Sequence, residues 1–127
     1  MKLEFLAAGS PDCPLIRLYA FNSVGVGRLL EALNGLSSGT LERVLLHEMP
    51  GVKSINGCKL TLRVRSWDQA ILQTGPWDFE CGFTTGTWED VAGLVEPFTK
   101  GAWGFHWLAG VPGEVNWLLP SDRDGQW

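Results

Sequence analysis

Residues 14–39 read PLIRLYAFNSVGVGRLLEALNGLSSG, and residues 76–101 read PWDFECGFTTGTWEDVAGLVEPFTKG. Laid over one another they match at a single offset: Pro14 falls on Pro76, Phe21 on Phe83, Leu29 on Val91, Leu33 on Val95, Leu36 on Phe98 and Gly39 on Gly101. Each stretch opens with a run of apolar and aromatic residues suited to a strand. Polar residues able to accept a hydrogen bond from the N–H groups of a helix start come next. Apolar residues then recur three and four apart, the period of a helix that buries one side. A glycine closes each stretch, where a helix commonly stops.

Working outward, residues 3–7 form a strand halted by the turn cluster Gly9, Ser10, Pro11 and Asp12. Residues 15–21 form the second strand, and Asn22 or Ser23 caps the first helix. Residues 42–49 and 59–67 read as a hairpin across Pro50, Gly51 and the pair Asn56 and Gly57, which favours positive φ. Residues 70–73 and 79–84 are the next strands, divided by Gly75 and Pro76. Thr87 with Asp90 resembles a capping box with a shortened acid. Trp88, Val91, Leu94, Val95 and Phe98 supply the buried side of the second helix, and Pro97 is expected to end its regular bonding. Residues 103–108 and 115–119 are the last strands, around Pro112 and Gly113.

The match continues past the helices: a shorter following loop sets His47 on His106, and a shorter hairpin loop sets Leu60 on Val115. Both length changes fall in turns. The expectation is an α+β fold, a tandem ββαββ duplication of about eight mostly antiparallel strands, with two helices sharing one core. One domain spans 1–127, with repeats at 1–67 and 69–121. Neither repeat alone buries both a sheet face and a helix stripe, so the two must share a core, with both helices on a common sheet or between two smaller ones. Read from the second strand, the order βαβββ then βαββ is similar to the duplicated unit of sliding-clamp domains.

A composition of 45% hydrophobic and 19% charged residues is that of a globular chain. No apolar run is long enough to cross a bilayer, and Glu4 interrupts the short apolar start, so a membrane role and an export signal are both disfavoured. Cys13, Cys58 and Cys81 cannot all pair within one chain and match no metal or redox spacing; reduced thiols in a cytoplasm are expected. The net charge of −4 argues against general attraction to nucleic acid. Lys59, Arg63 and Arg65 alternate along one strand and read as a solvated edge.

No complete catalytic, cofactor or metal constellation emerges. His47 and His106 occupy matching positions and could face one inter-repeat site, but Glu48 points away from His47, and two histidines each satisfied by a neighbour is the plainer reading. Gly25, Val26 and Gly27 give half of a dinucleotide-binding pattern without its third glycine. Glu89 and Asp90 oppose the dipole of the second helix. Neither Cys13 nor Ser10 or Ser23 sits in a nucleophile motif.

The seven tryptophans are the unusual feature. A domain this small cannot hide them all, so an exposed aromatic patch is expected. Trp103, Phe105 and Trp107 alternate on one strand face, and Trp103, Trp107, Trp117 and Trp77 are the candidate partner-binding residues. Trp127 is expected to fold back after Gly125 and Gln126. These features point to a non-enzymatic protein-binding domain, in style similar to small bacterial inhibitor or immunity-type proteins, with an acidic and Trp-rich surface. Two alternatives are a small-molecule-binding protein or enzyme using His47 and His106 with Cys81 or Glu80, and a homo-oligomeric assembly protein joined through its aromatic sheet face.

Overall fold

The computed structural model describes residues 1–109 and 115–127. Among them are nine strands in two sheets and two α-helices, an α+β architecture. The turn expected at Pro112 and Gly113 lies outside the described residues.

Strands β1 (Lys2–Leu6) and β2 (Leu15–Tyr19) pair antiparallel and lead into helix α1 (Ser23–Ser38). Asn22 caps α1 by accepting from the Gly25 N–H, and Gly39 ends it at a φ of 79°. Gly25, Gly27 and Gly35 inside the helix each lower its intrinsic propensity by about 1 kcal/mol relative to alanine, tertiary contacts aside. Burial of Val26, Leu29, Leu33 and Leu36 returns about 1.5–3 kcal/mol apiece, so tertiary packing decides the helix.

Residues 42–49 do not form one strand. Strand β3 (Arg43–Leu45) gives way to a 3₁₀ turn at Leu46–Glu48. Leu45 and Leu46 are both apolar, and a continuing strand would send them to opposite faces. The turn instead buries Leu46 in the core and lets His47 Nδ1 accept the Leu60 N–H at 3.2 Å.

A short strand β4 (Lys53–Ser54), absent from the sequence expectation, joins β1 in parallel. Asn56 and Gly57 take the expected positive φ, 54° and 72°. Strand β5 (Lys59–Val64) pairs antiparallel with β3. Strands β6 (Gln69–Gln73) and β7 (Asp78–Phe83) form an antiparallel pair before helix α2 (Thr85–Thr99). Helix α2 starts earlier than Thr87, capped by Thr84. Pro97 sits inside its last turn without stopping it, and Leu94 is only partly buried while Ala92 joins the buried face. Strands β8 (Phe105–Ala109) and β9 (Asn116–Pro120) pair antiparallel.

The first sheet runs β4, β1, β2, β9, β8 and the second runs β3, β5, β7, β6. Three junctions are parallel, namely β1 with β4, β2 with β9 and β5 with β7, so the pairing is more mixed than expected. The two helices pack on each other and close one core over both sheets. Leu3, Ile16, Leu18 and Trp117 enter it from the first sheet, and Leu60, Leu62, Phe79 and Cys81 from the second. Trp88 of α2 is fully buried, and its Nε1 donates to the Arg63 carbonyl at 2.9 Å. No described helix is long and apolar enough to cross a membrane.

Candidate functional site

The most exposed tryptophan, Trp103 at 81%, stands on the loop between α2 and β8. Gly101 with φ 83° and Gly104 with φ 123° flank it. Side chains rarely adopt such backbone angles, so the two glycines let the chain leave the helix and re-enter a sheet around one indole. Gly104 is held on both sides: its N–H donates to Ser121 Oγ, and its carbonyl accepts the Ser121 N–H, each at 2.8 Å. Trp103 therefore precedes β8. Of the three aromatics expected on one strand face, only Phe105 and Trp107 lie in the strand, with ring centroids 6.4 Å apart and edge to face.

The C-terminal segment completes the site by crossing back over the first sheet. Arg17 Nη1 donates to the Gly125 carbonyl at 2.9 Å, while its Nε donates to Glu4 Oε1 at 2.8 Å. The Arg17 guanidinium also lies 4.3 Å from the Tyr19 ring centroid. Asp122 Oδ1 accepts the N–H groups of Asp124 and Gln126, fixing a turn. Trp127 folds back as expected, its Nε1 donating to Asp12 Oδ2 at 2.9 Å. Together Trp103, Phe105, Ser121, Asp122, Gln126 and Trp127 line a cleft of about 220 Å³. A second hollow of about 200 Å³, lined by Phe21, Ser23 and Phe98 among others, shares Trp103 and Ser121 with it.

The other candidate tryptophans separate. Trp107 is half-buried beside Phe105. Trp77 lies away from the cleft, edge-on to Phe5, at the turn before β7. Trp117 is fully buried, because β9 is central in its sheet and its indole points inward; it presents nothing to a partner. The segment that carries Asp122, Gln126 and Trp127 to the cleft is held by bonds from Gly125 to Arg17 and from Trp127 to Asp12, about a hundred positions earlier and beyond any local pattern in sequence.

The structure does not bring the two histidines into contact. His47 belongs to the 3₁₀ turn beside the second sheet and bonds the Leu60 backbone, whereas His106 is exposed on the edge strand of the first sheet against Phe98. Among the described residues no group of three His, Cys, Asp or Glu side chains is arranged to hold a metal ion. Burial pushes the Cys58 thiol up to about 12, with the charges of Glu4 and Asp78 adding to it, and burial likewise raises Cys81. Thiols held protonated in this way are poor nucleophiles. Arg63 and Arg65 both converge on Glu80 Oε1, at 2.7 and 2.5 Å, so the basic stripe is largely answered within its own sheet. Compared with protein-family models, with curated proteins and with solved structures, the chain gives no match.

Proposed function

We propose that this domain is a non-enzymatic protein-binding module whose recognition face comprises Trp103, Phe105, Trp107 and Trp127. The observation that carries the reading is the 81% exposure of Trp103 on a loop held by two glycines of positive φ. A large rigid side chain left in water contributes little to folding and much to an interface, where tryptophan is enriched among the residues that dominate affinity. The carboxylates of Asp12, bonded to Trp127, and Asp122, in the cleft, outnumber the neighbouring Arg123, and with a net charge of −4 they suit a basic partner. Three unpaired cysteines suit a reducing compartment, and we place the protein in the cytoplasm.

The same proposal covers the origin of the fold as two copies of one ββαββ unit. In its support, β1, β2, β9, β8 and β6, β7, β5, β3 are equivalent runs: antiparallel, then parallel, then antiparallel. The copies differ after their helices. Leu41 folds back over Gly35, donating its N–H to the Gly35 carbonyl, and a methyl group at Gly35 would stand 2.5 Å from Leu41 Cδ1. At the matching position in the second copy stands Pro97, and there Ala102 takes the helix-end carbonyl in place of Trp103. The indole stands at 81% exposure where its counterpart Leu41, at 41%, lies against the helix.

The test is quantitative binding to a partner captured by a photo-crosslinking residue at position 123, which is exposed next to the cleft residue Asp122 and leaves Trp103 in place. Trp103→Ala is expected to weaken binding at least about 30-fold, the scale of an interface hot spot. Trp67→Ala, removing an exposed indole elsewhere, is expected to leave it unchanged. Equal effects of the two substitutions would overturn the reading.

A second reading has its own observation: β8 is an edge strand beside this aromatic face, so a second copy could add to it. Sedimentation that finds a monomer at high concentration removes that alternative.

A further inference from the structure

We propose that the cleft beside Trp103 receives a single cationic side chain, an arginine or lysine, from the protein partner; this rests on the binding face argued above. The walls supply the chemistry: Trp103, Phe105 and Trp127 line the same cleft as Asp122. Aromatic faces attract a cation through their negative π surfaces, and a carboxylate at the same place supplies the counter-charge. Asp122 Oδ1 is already engaged by the backbone of its own turn, and none of those bonds uses Oδ2.

Size and charge narrow the occupant. At about 220 Å³ the cleft is smaller than the roughly 300–1,000 Å³ of clefts that enclose small-molecule ligands, but it has room for one side chain. A neutral apolar group would strip water from Asp122 and return no hydrogen bond, which is unfavourable. A sugar would bring hydroxyls but no positive charge to answer the carboxylate of Asp122. A second copy docked here about a two-fold axis would bring Asp12, Asp122 and Asp124 towards their own images. A basic side chain satisfies both the rings and the carboxylate and adds the counter-charge that neutral occupants lack.

The experiment follows the tryptophan indole N–H resonances of the full chain by NMR. The probes are Nα-acetyl-arginine amide, its neutral citrulline counterpart, and methyl glucoside. The arginine probe is expected to shift the Trp103 and Trp127 signals saturably, about fivefold more tightly than citrulline, with Trp67 unmoved and the glucoside inert. Asp122→Asn keeps the Oδ1 acceptor of the turn and is expected to erase the preference for arginine. Trp103→Leu alters an exposed site and is expected to abolish the Trp127 shift while the rest of the spectrum stays in place. Equal shifts from arginine and citrulline, or a preference that survives Asp122→Asn, would overturn the inference. So would shifts spread equally over Trp67 and Trp77. If the partner needs Trp103 while the arginine probe shows no charge preference, the cation assignment falls and the binding face stands. If the probe binds as expected but partner affinity ignores Trp103, the cleft chemistry stands and the partner reading falls.

Discussion

Gly125 is buried at a φ of 78°, and a methyl group there would meet Arg17 Nη1 at 2.6 Å and Tyr19 Cδ2 at 3.0 Å. Left-handed backbone costs an alanine about 1–2 kcal/mol before any contact is counted, and here the guanidinium that holds the tail must move as well. Gly125→Ala is therefore expected to destabilise the fold by about 2 kcal/mol and to loosen the C-terminal segment. Urea denaturation, together with increased quenching of Trp127 by acrylamide, measures both effects. A turn at Gly125 was readable from the residues themselves, but its dependence on Arg17 was not, because the two lie on opposite ends of the chain. Thiol chemistry belongs to the same scale. Cys13 is half-buried, whereas Cys58 and Cys81 are buried and held protonated. Alkylation of the folded protein at neutral pH is expected to label Cys13 alone, with the other two reacting only on unfolding; mass spectrometry of digested protein reads this directly.

Helix α2 shows how an element acquires its start from outside itself. Thr84 Oγ1 accepts the Thr87 N–H at 3.3 Å, and Asp68, in the turn before β6, accepts the Thr84 N–H at 3.0 Å and the Thr87 hydroxyl at 2.7 Å. The backbone bond from Thr84 first, then the Thr87 hydroxyl, hold the Asp68 carboxyl below its ordinary 3.8. Asp68→Asn keeps an acceptor for the Thr84 N–H but loses the negative charge beside the helix start, and is expected to cost about 0.5 kcal/mol at neutral pH. A carboxyl whose folded pKa is depressed contributes its stability above the unfolded value and loses it as pH falls through the folded one. The gap between wild type and Asp68→Asn should therefore be full above about pH 5 and narrow progressively below pH 4, modestly because Asp68 is exposed to solvent. Denaturation curves at neutral and acid pH check the sign. Local pattern located both helices, since apolar spacing and a closing glycine act within one element. It placed the start of α2 at Thr87 because Asp68 is invisible to a window that begins at the helix. Strand β4 and the turn at Leu46–Glu48 escaped for the same reason: each is stabilised by a neighbour from elsewhere, β1 in one case and the Leu60 backbone in the other.

Across the whole molecule, each sheet is assembled from both ends of the chain. The first takes β1, β2 and β4 from residues before Trp67 and β8 and β9 from residues after it; the second takes β3 and β5 from the first half and β6 and β7 from the second. The shared core was legible in the sequence, because four strands and one helix cannot bury their own apolar surface. The exchange of strands between sheets was not, since a parallel junction such as Leu62 with Cys81 is set by which faces must be buried together rather than by any local signal. The aromatic surplus was likewise legible as composition, yet only the outward turn at Gly101 and Gly104 decides that Trp103 is displayed while Trp88 and Trp117 are buried. Interleaving also fixes how the protein must fold. Residues 1–67 alone would leave β2 and β5 with open edges and α1 without α2, and residues 69–127 would leave β7, β9 and α2 equally bare. Each fragment expressed separately is expected to show no cooperative thermal transition by circular dichroism, and equimolar mixing is expected to restore a single transition and the native tryptophan emission. A sharp transition in residues 1–67 alone would mean that the first half completes its own core, and the account of two units sharing one interior would then be wrong.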